Sequence, residues 1–212
     1  MSREQAFVIG GFSESPDYLS PLTNEVATQL FSDVEQFTWH QAYRRRHMLA
    51  REAVNRTIIT HSAGAMFLHD GVRAIALAGV EPTPPEKSIL RAGKVAFNMT
   101  LGHEKGSPIV PMLSNVEEVL RHPTHLRVLG QVGWFSTTER LVRAGDERFP
   151  EGRLYLPALD DEFGFGKPEA VARATANGIT AAYVGRFHNY PLTHPKATVQ
   201  SIRSLIEQKV AA

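Results

Sequence analysis

Short apolar runs alternate with longer amphipathic runs along most of this chain, and this alternation limits most strongly how it can fold. Runs of about four to eight apolar or β-branched residues have the length and composition of buried strands. The most strand-like run covers residues 57–60, in which every residue is β-branched. Strands that alternate with helices of about 10 to 15 residues are typical of a parallel sheet covered by helices on both faces. The sequence therefore predicts an α/β fold, a three-layer sandwich with a mostly parallel central sheet.

The predicted elements follow one another regularly, except in one long segment. Strands are predicted over residues 6–9, 34–38, 57–60, 72–80, 154–159 and 179–184. Helices are predicted over residues 21–31, 40–54, 63–69, 137–144, 168–176 and 194–209. Between residues 82 and 135 the alternation stops, and proline, glycine and polar residues are scattered. Because so long an insertion in a compact domain usually has a function, we expect a single domain over residues 1–212 with a lid insertion at about 82–135.

Composition limits the kinds of partner. Hydrophobic residues make up 42% of the chain and charged residues 21%, which allows a packed core. The net charge of +1 provides no electrostatic field that would attract nucleic acid. The absence of cysteine excludes disulfides, thiolate metal sites and a cysteine nucleophile, and is compatible with the cytosol. No apolar stretch reaches the roughly 18 residues of a membrane span, and residues 6–9 are too few for a signal peptide. We therefore expect a cytoplasmic protein without a membrane span and without a nucleic-acid partner.

The histidines form no metal-binding motif. No His-Glu-x-x-His occurs, and His122 and His125 lie on either side of Pro123 with no carboxylate nearby. The phosphate-binding pattern Gly-x-x-x-x-Gly-Lys-Ser/Thr is also missing, and residues 164–166 are too short a glycine pattern for a dinucleotide site. We therefore expect neither a metal nor another cofactor.

A serine stands where the β-branched run meets the next predicted helix. Ser62 is preceded at two residues by Thr60 and followed at two residues by Gly64. A nucleophile elbow needs small residues at these positions, because larger side chains would collide with the neighbouring strand and helix around a strained turn. The alternative is that Ser62 simply caps the helix, which serine commonly does. The local pattern alone leaves both interpretations open.

Residues that could activate this serine follow two later strands. A serine hydroxyl needs a histidine base, and the histidine in turn needs a carboxylate to orient it. Asp160, Asp161 and Glu162 come directly after the predicted strand 154–159, and His188 comes soon after the strand 179–184. The chain order is therefore serine, acid, histidine, as such an elbow requires.

These segments together resemble the α/β-hydrolase superfamily over nearly the whole chain. Residues 60–65 resemble its Gly-His-Ser-x-Gly-Gly elbow, although the first position is threonine. Residues 8–12 resemble the family's strand that ends in His-Gly, with Gly10 in the histidine position. Residues 154–161 resemble the strand that ends in the acid. Residues 185–188, followed by Pro195, resemble the closing Gly-x-x-His ahead of the last helix.

The resemblance implies a role for each of five residues. Ser62 would be the nucleophile, His188 the general base, and Asp161 the acid that orients the base. The backbone amides of Phe12 and Ala63 would form the oxyanion hole, which needs two N–H groups aimed at the developing charge.

Alternatives remain for several of these roles. For the acid they are Asp160 and, more remotely, Glu162, because the end of a predicted strand is known only to within a residue or two. For the base the competitor is His194, although it lies at the predicted start of the last helix. For the second oxyanion amide the alternative is Gly11. His61 directly precedes the serine, and we interpret it as structural because its side chain should point away from the hydroxyl.

The expected reaction is hydrolysis of a small-molecule carboxylic ester or thioester. An amide is disfavoured because alkoxide and thiolate leave more easily than amine. Carbon–carbon hydrolysis, perhydrolysis, lyase chemistry or a non-catalytic receptor would use the same scaffold, since fold and triad do not fix the reaction. Six large side chains could line the substrate pocket, although core packing is the simpler interpretation for each: Trp39, Phe97, Met99, Met112, Trp134 and Phe135.

Overall fold

A computed structural model describes residues 5–12, 14–79, 117, 120–122, 136–144, 152–159 and 168–210 of the chain. Most of the predicted lid, residues 82–135, and the acidic residues 160–162 lie outside this part. The lid insertion therefore stays a prediction.

Parallel strands form the central sheet of the described part. They are β1 (Gln5–Ile9), β2 (Asp33–Phe37), β3 (Arg56–His61), β4 (Arg73–Leu77), β5 (Arg153–Leu156) and β6 (Thr180–Ala181). The order across the sheet is β2-β1-β3-β4-β5-β6, and every neighbouring pair is parallel. The predicted parallel sheet is confirmed. Since all six strands run in one direction, the loops after β1, β3, β5 and β6 emerge at the same edge of the sheet.

Helices follow the strands as the alternation predicts. The α-helices are α1 (Pro16–Gln29), α2 (Trp39–Glu52), α3 (Thr137–Ala144), α4 (Pro168–Ala176), α5 (Tyr190–Thr193) and α6 (Pro195–Val210), and 3-10 helices cover Ala53–Asn55 and Ser62–Phe67. None of the helices in the described ranges combines the length and the apolar character that crossing a membrane requires.

The two faces of the sheet each carry one hydrophobic core. Successive side chains of a strand point to opposite faces. Phe7 and Ile58 therefore pack with residues of α2, α3 and α4, whereas Val8 and Ile59 pack with residues of α1, α5 and α6. Both faces are thus covered by helices, which makes the predicted three-layer sandwich the observed architecture.

Several predicted elements differ from the structure in their bounds or their type. The strand predicted over 72–80 covers Arg73–Leu77, and the strand predicted over 154–159 covers Arg153–Leu156. Helix α1 begins at Pro16 and not at residue 21, because the Ser15 hydroxyl accepts a hydrogen bond from the Tyr18 amide at 3.3 Å and so caps the helix. Pro21 lies inside this helix. The helix predicted over 63–69 is a 3-10 helix, and the last strand is two residues long rather than the predicted six.

Helix α2 begins with a reciprocal pair of hydrogen bonds. The Thr38 hydroxyl accepts from the Gln41 amide, and the Gln41 side chain accepts from the Thr38 amide. Thr38→Ala is expected to lower the free energy of unfolding by about 1 kcal/mol, which corresponds to a Tm lower by roughly 2–4 °C. Thermal unfolding followed by circular dichroism measures the change.

Thr28→Ala is the matched control for this prediction. The exposed Thr28 hydroxyl donates to the Asn24 carbonyl within helix α1, an arrangement that adds little to helix stability. This variant should unfold at or slightly above the wild-type Tm. An equal loss of stability in the two variants would contradict a capping role for Thr38.

Candidate active site

Ser62 lies in a strained turn at the carboxyl end of β3. Its φ angle is +52°, which a non-glycine residue adopts at a cost of about 1–3 kcal/mol, and its side chain is 4% exposed. The N-cap of the following 3-10 helix is His61, which makes no capping hydrogen bond through its side chain. The interpretation of Ser62 as a helix cap is therefore wrong, because a capping residue has an extended backbone.

Gly64 lets this turn approach the end of β1. A Cβ atom at this position would lie 2.7 Å from the Ile9 carbonyl oxygen and 2.8 Å from that of Gly10. Both are backbone atoms and cannot rotate away. A side chain at position 64 therefore cannot fit without moving the turn or the strand, which is the reason the sequence pattern requires a small residue here.

The loop after β1 lies against Ser62. A Cβ atom at Gly11 would be 3.0 Å from the Ser62 Cβ, so the backbone of this loop directly adjoins the turn. The Gly11 amide donates to the Glu14 carboxylate at 2.5 Å. Because that N–H already has an acceptor, the geometry favours the Phe12 amide over the Gly11 amide for the predicted oxyanion hole.

An aromatic cluster supports both predicted oxyanion residues. The Phe12 ring lies 5.0 Å from the Trp39 ring, and the Trp39 Nε1 donates to the Ala63 carbonyl at 3.3 Å. Trp39 is fully buried, which agrees with a packing role. The five other candidate pocket residues lie outside the described part of the chain.

His188 is fully buried in the loop that follows β6. Its ring centroid lies 5.1 Å from that of His61, the residue before Ser62. Gly185 begins this loop with a φ angle of +69°, and a Cβ atom there would lie 2.0 Å from the Tyr190 ring. Only glycine fits this position, so the glycine of the Gly-x-x-His pattern has a structural cause.

His194, the competing base, occupies a different environment. It is exposed, and its ring stacks on Tyr190 at 4.3 Å with an interplanar angle of 4°. Its Nδ1 lies 2.9 Å from the Thr193 hydroxyl. Because the buried His188 is the one that lies beside the serine turn, the geometry favours His188 over His194.

The candidate acids, Asp160 and Asp161, lie outside the described residues, but the segment that leads to them does not. The Leu159 amide donates to the Gly185 carbonyl at 3.1 Å, and the Val184 amide donates to the Pro157 carbonyl at 2.9 Å. The loops after β5 and β6 therefore start side by side.

The sequence interpretation missed one buried carboxylate beside the turn. Glu14 is 3% exposed, and its carboxylate contacts the Nδ1 of His61, which is 1% exposed. His61 Nε2 also contacts the His188 carbonyl oxygen at 3.0 Å. An acid three residues past a glycine turn has the same local pattern whether it is solvated or buried, so no signal in the sequence distinguishes this pair.

His40 and His122 lie next to each other. The His40 and His122 rings lie 4.5 Å apart, and an Arg44 N–H group lies 3.1 Å from the His122 Nδ1. Arginine only donates, so this ring nitrogen accepts a hydrogen bond and is not turned to a metal. Within the described ranges no group of three His, Asp or Glu side chains could hold a metal ion.

Sequence comparisons find no relative of this chain, whereas solved structures match it over nearly its whole length. No protein-family model matches, and no curated protein sequence matches. A hydrolase from Oleispira antarctica is 11% identical, with a TM-score of 0.62 and coverage of 97% of this chain and 92% of that chain. An N-formylmaleamic acid deformylase from Pseudomonas putida is 12% identical, with a TM-score of 0.60 and coverage of 95% and 92%. A haloalkane dehalogenase loop variant from Bradyrhizobium elkanii is 11% identical, with a TM-score of 0.61 and coverage of 99% and 91%.

These similarities define the class of fold. The matched proteins are of the α/β-hydrolase type, and this chain has the α/β-hydrolase fold. A dehalogenase and a deformylase break different bonds. At this level of identity the structural similarity therefore shows the fold but not the reaction.

Proposed function

We propose that this protein is a serine hydrolase that cleaves a carboxylic ester or thioester of a small molecule through an acyl-enzyme on Ser62. The observation that carries the proposal is the φ angle of +52° at Ser62, in a buried turn that adjoins the loop after β1. Strained residues persist only where their surroundings enforce them, and they cluster at active sites. An elbow of this kind presents its hydroxyl at the carboxyl edge of the sheet.

In the proposed mechanism the Ser62 hydroxyl attacks the substrate carbonyl carbon while His188 accepts its proton. The tetrahedral oxyanion receives hydrogen bonds from the amides of Phe12 and Ala63. When the carbon–oxygen or carbon–sulfur bond breaks, His188 returns the proton to the leaving alkoxide or thiolate. Water then attacks the acyl-enzyme with His188 as base, which releases the acid and restores the serine. Asp161 stabilises the imidazolium throughout.

The surroundings of His188 support this assignment. The ring is buried and lies beside the residue that precedes the serine. The hydrogen bond between Leu159 and Gly185 holds the start of the acid-bearing loop against the start of the histidine loop. The candidate acids Asp160 and Asp161 follow Leu159 by one and two residues, and Asp160 remains the alternative to Asp161.

Covalent labelling with a fluorophosphonate tests the proposal. Native protein should gain one adduct by intact mass, and peptide mapping should locate it on Ser62, because such reagents react with an activated serine. Heat-denatured protein is the control and should stay unlabelled. If the folded protein gains no adduct, the serine is not activated and the protein is better explained as a small-molecule receptor on the same scaffold.

A further inference from the structure

A buried carboxylate and a buried imidazole join three loops of the site. Glu14 lies in the loop after β1, His61 precedes Ser62, and His188 lies in the loop after β6. The side chains of Glu14 and His61 are 3% and 0% exposed. Burying such groups is costly unless they have hydrogen-bonding partners, so the contacts they make define their role.

Glu14 fixes the backbone of its own loop. One carboxylate oxygen accepts from the Gly11 amide at 2.5 Å, and the other contacts His61 Nδ1. A Cβ atom at Gly11 would lie 2.5 Å from a Glu14 carboxylate oxygen, so the carboxylate folds back tightly over the glycine. This contact holds the Gly10–Gly11 peptide, which directly precedes the peptide that carries the Phe12 amide, the proposed oxyanion donor.

His61 continues the connection to the base. The His188 carbonyl oxygen can only accept a hydrogen bond, so the contact at 3.0 Å requires a proton on His61 Nε2. Nδ1 then faces the Glu14 carboxyl group. With both nitrogens engaged, the imidazole cannot rotate without losing a buried hydrogen bond.

We propose that Glu14 and His61 are positioning residues that hold the loop after β1, the serine turn and the His188 loop in fixed positions relative to one another. This inference rests on the proposed function, since it assigns the pair a part in catalysis at Ser62. Both side chains are buried and contact protein groups, so neither is assigned a contact with substrate. Because oxyanion donors act on charge that develops only in the transition state, a displaced Phe12 amide lowers kcat and leaves KM nearly unchanged.

The test compares Glu14→Ala with Glu14→Gln in the full chain. Glutamine keeps both contacts, since its carbonyl oxygen can accept from Gly11 and its amide can donate to His61 Nδ1. We measure kcat and KM for p-nitrophenyl acetate and the rate of fluorophosphonate labelling. Glu14→Ala should lower kcat by about 100-fold with KM within about threefold, whereas Glu14→Gln should stay within about tenfold of the wild type.

A double variant tests whether the two residues act as one unit. Glu14→Ala combined with His61→Ala should lose no more activity than the worse single variant, because residues that act together are not additive. Thr23→Val is the control for loss of a buried polar group, since the Thr23 hydroxyl donates to Leu19 within helix α1. It should leave both kinetic constants unchanged.

The outcomes separate this inference from the proposed function. If the wild type is labelled and Glu14→Ala is labelled equally fast, the positioning role is overturned while the hydrolase proposal stands. Equal decreases in kcat in Glu14→Ala and Glu14→Gln also overturn it. So does a decrease in kcat of the double variant that equals the product of the decreases in the two single variants. If the wild type is not labelled, both the positioning role and the proposed hydrolase function are wrong. If Glu14→Ala fails to fold, His61→Gln tests the same connection. Its amide can still donate to the His188 carbonyl, but it loses the contact with Glu14. This variant should also be labelled more slowly than the wild type.

Discussion

His188→Ala is expected to lower kcat for p-nitrophenyl acetate by about 10⁴-fold or more, and Ser62→Ala is expected to do the same. Without an imidazole the serine hydroxyl has no acceptor for its proton, and without the hydroxyl no acyl-enzyme forms. The double variant should be no slower than either single variant, because nucleophile and base act as a unit. Steady-state kinetics with purified variants measures all three.

His194→Ala is the matched control for the base. The residue type is the same and lies six positions further on, but its ring is exposed and stacked on Tyr190. We expect kcat within about threefold of the wild type, as for an ordinary surface substitution. A large loss in His194→Ala together with a small loss in His188→Ala would reverse the assignment of the base.

Gly64→Ala is expected to affect both stability and activity. The added methyl group would lie 2.7 Å from the Ile9 carbonyl oxygen, and backbone must move to relieve the contact. Overpacking of this kind costs about 1–3 kcal/mol in the free energy of unfolding. A shift of the turn by about 1 Å should also slow fluorophosphonate labelling by about 100-fold, since catalysis depends on alignment. Urea unfolding and the labelling rate measure the two effects.

Gly178→Ala separates the clash from the general cost of replacing glycine. Gly178 has a φ angle of +71°, but an added Cβ atom would meet only an Arg153 side chain at 3.7 Å. The substitution should cost about 1 kcal/mol through its backbone conformation and leave labelling unchanged. If Gly64→Ala behaved in the same way, close approach of the turn to β1 would not be a requirement of the site.

The fold could be predicted because the elements that specify it are local in sequence. The β-branched run at residues 57–60 became part of β3, and the helix predicted over 168–176 has those bounds in the structure. Once the strands are parallel, their carboxyl ends share one edge. The loops after β3, β5 and β6, which carry the proposed serine, acid and histidine, could therefore be predicted to start at that edge.

Two other features were not predicted, one for a local reason and one because it depends on a tertiary contact. Helix α1 starts earlier than predicted, because the first-turn preference of proline is satisfied by Pro16 as well as by Pro21, and only the Ser15 cap decides between them. The Glu14–His61 pair forms because the loop after β1 and the serine turn happen to be neighbours across the sheet. Neither residue differs in its local sequence from an ordinary loop acid or strand-end histidine.

The position of β6 has a consequence for how the protein loses activity. The proposed nucleophile follows β3, which is paired on both sides, whereas the proposed base follows β6, a two-residue strand at the edge of the sheet. A short strand at the edge of a sheet opens at a lower free energy than a strand at its centre. Local opening of this edge would move the loop that carries His188 away from His61 while the centre of the sheet stayed paired. If Ser62 and His188 act together as proposed, their arrangement is less robust than the fold that carries it.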